Sequence, residues 1–310
     1  ERYDDFPKPL RRRKDLFIVL MLSLSVASWA VFYMYVNFSS FVMAFRKFIG
    51  YGEGNEEIYV WSLDNFRRFW SEMTYKGYAS QQFKAALKNT LFLFVTGNAV
   101  TIPTAYLISY VLYKKICGHK AFKVLLYLPQ ILSTVVMVTI FKNIVEVHGL
   151  ISSISQKFTG KAVTVLLHTD EWAKWTVWAY NTWVGFAGSY ILLTAAMGRI
   201  PEEIVESAKL DGIGAWTEFW KIIIPMIWPT VYILLLQKIT GFLSADGPIL
   251  LLTGGDYNTY TIGFWYYQQV IVSHSFEYPS AVGLILTAFI APIAIIARKL
   301  LDKVYADVEF

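Results

Sequence analysis

Apolar residues in this chain run together for roughly 18 to 24 positions at a time, instead of alternating as in a half-buried strand or marking a narrow helical stripe. A run of that length, rising about 1.5 Å per residue as a helix, crosses a hydrocarbon core of about 30 Å. Such runs at residues 16–36, 90–113, 124–141, 175–197, 227–244 and 279–297 predict an all-α membrane protein with about six transmembrane helices. Helices are the natural choice because lipid offers no water to backbone N–H and C=O groups, so each span must satisfy its own. Pro103, Pro129 and Pro292 lie inside runs and predict kinks, since each removes one backbone donor. Tyr33, Tyr35, Trp172, Trp175, Trp228 and Trp265 gather near the ends of runs, as interfacial aromatic belts do.

An even number of spans puts both termini on one side, and Lys and Arg choose that side. The arm before the first run, the 114–123 loop, the 199–221 loop and the tail carry sixteen Lys and Arg on short segments, against eleven on the longer opposite loops. Both termini are therefore expected in the cytoplasm. The chain then divides into an arm over 1–15, a first helix with an external segment over 16–84, a five-helix core over 85–298, and a tail over 299–310. Within the core, the 198–229 loop faces the cytoplasm. The first run lacks a small-residue cleavage site after it and is expected to stay as a membrane anchor. In the polar stretch that follows, Leu63, Phe66 and Trp70 share a helical face and predict an amphipathic helix on the outer surface.

Composition serves mainly to exclude. At 55% hydrophobic and 16% charged residues the chain falls outside the soluble globular range, and its net charge of +5 sits beside apolar runs, which argues against nucleic acid. The single cysteine, Cys117, cannot form an intrachain disulfide, and no Cys/His spacing resembles a metal site. His119, His148, His168 and His274 are scattered over loops with no base or nucleophile beside them, so no catalytic residue is expected. No G-x-x-x-x-G-K-[ST] segment is present to cradle a triphosphate. No acidic residue lies in the six runs and the two halves do not repeat, which disfavours a secondary transporter coupled to protons or cations.

The most informative segment is the cytoplasmic corner between the fourth and fifth runs. Pro201 suits a first helical position, Glu202 and Glu203 complement the positive end of the helix dipole, and Asp211-Gly212 can end the helix. Ser207 and Ala208 are small enough to let this helix lie close against another surface. Trp216, Phe219, Ile222 and Ile223 would brace a second short helix against the membrane domain.

Glu206-Ser207-Ala208, then Gly212, then Ile222-Ile223-Ile224-Pro225 resembles the Glu-Ala-Ala…Gly…Ile-x-Leu-Pro pattern of permease subunits of binding-protein-dependent ABC importers, at the same spacing. Ser207 stands for Ala and Ile224 for Leu, both close in size. Asn181-Thr182-Trp183-Val184-Gly185-Phe186 with Ile200-Pro201-Glu202-Glu203 looks like the larger, sugar-contacting permease of maltose-type importers. Leu63-Asp64-Asn65-Phe66, Tyr127-Leu128-Pro129 and Leu252-Thr253-Gly254-Gly255 fit the same carbohydrate-uptake branch.

The resemblance implies a type I ABC importer transmembrane domain in a prokaryotic cell membrane. It implies a coupling helix whose Glu203, Glu206, Ser207, Ala208, Asp211 and Gly212 dock in a groove on an ATPase subunit. It also implies the partners: a second permease completing a heterodimer, with the first span wrapping it, two ATPase subunits or domains that hold ATP and Mg, and an external solute-binding protein that delivers a carbohydrate. This chain itself would be neither an enzyme nor the holder of a cofactor or metal.

A sugar in a membrane passage needs hydrogen-bonding groups and aromatic faces around a wet cavity. The fourth run supplies Tyr180, Asn181 and Trp183, with Gly185 and Gly188 on nearly the same side. These glycines either clear space for solute or allow close helix packing. The maltose-type pattern assigns sugar-lining positions to Asn181, Val184, Gly185 and Gly188, with Gly188 in place of an aromatic. In the fifth run it assigns polar positions near Gln237, Lys238, Gly241, Phe242, Ser244 and Ala245, followed directly by Asp246. Lys238 departs from that pattern. A lysine at such depth costs roughly 2.5 to 3.5 kcal/mol to insert, so it either donates to substrate hydroxyls or an acidic sugar, or pairs with a carboxylate of the partner permease. The same architecture could instead import a glycerol phosphate or a polyamine.

Overall fold

A computed structural model describes residues 8–161, 165–244 and 247–304. The first helix, α1, runs as Lys8–Trp29, a π-helical stretch Ala30–Tyr35, and Val36–Ala44. A hairpin follows, β1 (Arg46–Tyr51) and β2 (Glu57–Trp61), then α2 (Asp64–Thr74), α3 (Tyr78–Tyr113), α4 (His119–Ile131), α5 (Thr134–Val145) and α6 (Leu150–Thr159). Next come α7 (Ala173–Met197), α8 (Glu202–Leu210), and α9, built as Ala215–Glu218, a π-helical Phe219–Ile223 and Ile224–Met226. α10 (Trp228–Thr240) continues as a 3₁₀ turn, Gly241–Ser244. α11 (Ile249–Leu252), α12 (Ile262–Tyr267, then π-helical Gln268–Val272) and α13 (Glu277–Leu301) complete the order.

Two compact units divide the chain. One takes the chain up to Ser71 together with Gln269–Leu286 and the other takes Glu72–Gln268 with the chain from Thr287 onward. In the first unit, the most apolar window of α1 has no buried residue, with Leu24 and Phe32 both 77% exposed. The antiparallel hairpin sets Arg46 opposite Trp61 and Phe48 opposite Tyr59, and it adds a small sheet to a chain expected to be all-α. Asn65 Nδ2 donates to the Ala44 and Arg46 carbonyls at 3.0 and 2.8 Å, which pins α2 to the end of α1. Lys47 Nζ reaches Asp64 Oδ2 at 2.7 Å. The amphipathic segment is helical as expected, but its packed face is different. Phe69 is buried and Phe66 lies 5.0 Å from the Phe45 ring, whereas Leu63 and Trp70 are exposed. Leu63 falls before the helix begins at Asp64, so it is off the helical spacing that the sequence suggested.

In the second unit α3 and α7 form the central pair. Two apolar clusters flank it. One holds Tyr110, Leu112, Tyr190, Leu193, Met197, Phe219, Ile223 and Leu234; the other holds Leu93, Met137, Phe141, Val177, Tyr180, Ile249, Leu252 and Phe264. α3 begins a dozen residues before its apolar run because Phe83 and Ala86 are fully buried and extend the packing.

The third apolar run, 124–141, is two helices rather than one. α4 stops at Ile131, Leu132 is extended with ψ 147°, and Ser133 caps α5 by accepting from the Val136 N–H. A Ser at this position offers the backbone a local partner, and Pro129 has already removed a donor from the preceding turn. The fifth run turns by 76° from its preceding helix at Ile227, where Pro229 lies in the first turn of α10.

Among the described residues four helical stretches are long and apolar enough to cross a membrane: α1, α3, Thr134–Thr159 and α13. The bent pair α9–α10 makes a fifth if counted as one span. The 25-residue α7, which carries Thr176, Tyr180, Asn181 and Ser189, is not among them. Those polar residues have a use inside the bundle.

Candidate functional site: a polar cavity and a two-helix corner

A cavity of about 880 Å³ opens among α3, α7, α10 and the break between α4 and α5. Tyr180, Asn181, Val184, Gly185 and Gly188 of α7 line it, as do Gln237 and Lys238 of α10 and Gly241 just beyond. Gly185 and Gly241, like Gly97 of α3, have nothing within 4 Å of where a Cβ would stand, so their missing side chains are part of the cavity's volume. A Cβ on Gly188 would instead meet Gln130 at 3.4 Å. Tyr180 is buried, and its ring packs edge-on against Phe141 with centroids 5.2 Å apart.

The remaining expected path residues lie elsewhere. Trp183 is not part of the lining and its ring lies 6.2 Å from that of Phe141, and Phe242, also outside the lining, packs at 5.1 Å against Phe94, which does line the cavity. Ser244 ends the 3₁₀ turn, and Ala245 and Asp246 lie outside the described residues.

The cavity also has walls that sequence reasoning missed. Gly97, Asn98 and Thr101 come from α3, and Gln130 and Thr134 come from the two sides of the α4–α5 break. Asn98 and Gln130 did stand out as amides within apolar runs, a signal available in the sequence. Gly247 closes the floor: with φ +65° it takes a conformation that favours glycine, and a Cβ there would collide with the Asn181 amide. Taken together, amide and hydroxyl groups can donate to and accept from hydroxylated solute, while Leu93, Met137, Leu192 and Leu234 supply apolar wall.

The corner below is built as two short helices. α8 buries Val205 and Ala208 and exposes Glu203, Glu206, Ser207 and Asp211, with Leu210 88% exposed at its end. Gly212, at φ +73°, closes α8 in a Schellman motif: its N–H donates to the Lys209 carbonyl and that of Ile213 to the Ala208 carbonyl, both at 3.0 Å. Glu202 and Glu203 occupy the first turn and Lys209 the last, as the helix dipole favours.

α9 is anchored to the end of α3. Tyr110 donates its hydroxyl proton to the Ala215 carbonyl at 2.9 Å, and its ring lies 5.0 Å from that of Phe219. Glu218, buried, pairs with Lys114. Trp216 and Trp220 remain exposed, so they do not brace the helix as Phe219 and Ile223 do. Among the described residues no group of His, Cys, Asp and Glu could hold a metal ion.

The chain is 29% identical over 308 residues, 94% of this chain and 92% of the relative, to the polygalacturonan/rhamnogalacturonan transport system permease protein YteP of Bacillus subtilis. It is 29% identical over 227 residues, 72% of this chain and 77% of the relative, to the multiple sugar-binding transport system permease protein MsmF of Streptococcus mutans. In fold it matches a chain of a bacterial ABC transporter involved in the import of the acidic polysaccharide alginate, with TM-score 0.78, 20% identity, and coverage of 94% of this chain and 97% of that one. Residues 101–306, which include the α7 wall, the corner and α10, match the family model of the binding-protein-dependent transport system inner membrane component, and this chain belongs to that family.

Proposed function

We propose that this chain is one of two permease subunits of an ATP-driven importer and passes a carbohydrate, handed over by an external solute-binding protein, across a prokaryotic cell membrane. The observation that carries the reading is the cavity of about 880 Å³, whose amides and hydroxyls from five helices converge inside an otherwise apolar bundle. Relatives named for transport of polygalacturonan and of multiple sugars support the solute class. Both termini are cytoplasmic in this reading, from the distribution of Lys and Arg.

The partner ATPases bind ATP and Mg, and α8 docks into them with Glu206 facing a basic residue. Val205 and Ala208, buried behind the docking face, carry the push into the bundle. From there two continuous routes reach the cavity. α9 passes through the bend at Ile227 into α10, which bears Gln237 and Lys238. Lys114 and Tyr110 hold the corner to α3, whose Thr101 and Asn98 lie on the wall about 20 Å along the same helix. Closure of the ATPases thereby changes which side of the membrane the cavity faces. The exposed apolar length of α1 provides a surface for lipid or for the second permease.

The test is ATP hydrolysis by the purified assembly in lipid, with and without its binding protein and a panel of oligosaccharides, in wild type, Glu206→Ala and Gly212→Asp. Stimulation by loaded binding protein in wild type and its loss in both variants is the expected result. Uptake that persists without ATP in all three forms would overturn the reading.

A further inference from the structure

Lys238 is the one cation among the described residues that line the cavity, and no described lining residue carries a carboxylate. The side chain is half-buried, and among the described residues it makes no ion pair. A lysine held within a span is costly, so one without an ion-pair partner among the described residues of a solute passage calls for an anion. Thr134, at the start of α5, lines the same cavity, so the N-terminal end of a 12-residue helix adds partial positive charge to the wall.

The rest of the wall is neutral and suited to hydroxyls. Asn98, Gln130, Asn181 and Gln237 each offer both a donor and an acceptor, as a sugar ring requires. The volume, near the upper end of what ligand pockets span, is far larger than a small inorganic anion or a glycerol phosphate fills. A phosphate dianion would leave one of its two charges unmatched by a single ammonium, whereas that ammonium matches a single carboxylate charge. One point charge on a flexible stem holds such a group without trapping it, which transit requires.

Resting on the carbohydrate reading above, we propose that the solute is an acidic oligosaccharide and that Lys238 is the carboxylate-selecting residue of the passage, meeting one uronate at a time while the amides meet the ring hydroxyls. Lys238 thus makes the passage itself, and not only the binding protein, discriminate charge.

The assembly with its partner permease, ATPases and binding protein, in proteoliposomes, is supplied with trigalacturonate or its fully methyl-esterified form, which differ in charge but little in size. Wild type should take up the free acid roughly tenfold or more faster than the ester, the scale of one charge-assisted hydrogen bond. Lys238→Gln should bring the acid-to-ester ratio close to one, whatever it does to the absolute rates, and Lys238→Arg should keep the preference. Retention of the wild-type acid-to-ester ratio in Lys238→Gln would overturn the proposal and assign selection to the binding protein. Equal uptake of both forms by wild type would overturn it while leaving carbohydrate import standing. If neither these nor neutral oligosaccharides cross while another class of solute does, the carbohydrate reading itself falls, and the proposal with it.

Discussion

Lys114, at the end of α3, and Glu218, in the first turn of α9, form an ion pair in which Nζ lies 2.5 Å from Oε1 and 2.6 Å from Oε2. The Oε2 contact is an aligned hydrogen bond, and Oε1 is held by charge alone, with no aligned donor. Glu218 is 2% exposed, so the pair joins the α8–α9 corner to a helix that lines the cavity at a point where water scarcely reaches. Removing one partner strands the other: Lys114→Met or Glu218→Ala should destabilise the assembly by roughly 3 kcal/mol, while Lys114→Met with Glu218→Leu should recover much of that loss. Thermal unfolding of the purified assembly checks the stability. Stimulated ATP hydrolysis checks whether the double variant still couples.

The close of α8 depends on Gly212. Its φ of +73° strains any other L-residue, although nothing stands within 4 Å of a Cβ there. Gly212→Ala should therefore cost about 1 kcal/mol through backbone conformation alone. Hydrogen exchange at Gly212 and Ile213 should rise before exchange elsewhere in the corner does.

Open space beside Gly185 and Gly241 makes the cavity easy to narrow without disturbing the packing around it. Gly185→Leu and Gly241→Leu should leave thermal stability within about 0.5 kcal/mol of wild type and sharply reduce uptake of an oligosaccharide. A monosaccharide should be less affected than a trisaccharide. Equal uptake of the trisaccharide in both variants would remove these glycines from the path.

Asn89, buried in α3, donates from Nδ2 to the Asn258 and Tyr260 carbonyls at 2.8 and 2.9 Å, next to Thr90, whose hydroxyl accepts from the Ile262 N–H. Asn89→Leu should cost about 2 kcal/mol by leaving those carbonyls without a donor. Asn89→Asp should be no better, because a carboxylate cannot donate to them. Thermal unfolding of both variants in detergent reads the difference.

The hairpin carries a pH-dependent contact outside the spans. A hydrogen bond and the nearby charge of Lys47 hold the Asp64 carboxyl below its usual range. A carboxyl whose folded pKa is depressed contributes stability above its unfolded pKa of about 3.9 and loses it as pH falls through the folded value. Lys47→Met should move Asp64 titration upward, followed by NMR of its side chain. The effect on stability should be small because both groups are exposed.

The corner was legible because its signals are local: proline before a helix, acidic residues in its first turn, Asp-Gly at its end, each acting within one turn of where it stands. The part of the cavity wall that α7 supplies was legible for a related reason. Asn181, Gly185 and Gly188 recur at helical spacing in a run too polar for lipid on every side. Glu218 gave no such sign, since a lone carboxylate in an amphipathic loop reads as solvated until α3 delivers Lys114 to it from 104 residues away. Leu63 and Trp70 illustrate the opposite error, a plausible stripe whose first member falls outside the helix.

The sequence by itself determined that the chain enters a membrane, roughly where its helices run, and the local form of α8. These follow from hydropathy, backbone hydrogen bonding and turn chemistry, which act over a few to some twenty consecutive residues. Tertiary structure alone decided that an apolar run would break at Ser133 and bring Gln130 and Thr134 to a wall shared with Asn98, Asn181 and Lys238. That arrangement brings together residues from about thirty to more than a hundred positions apart, and no periodicity along the chain encodes which polar residues of separate helices meet.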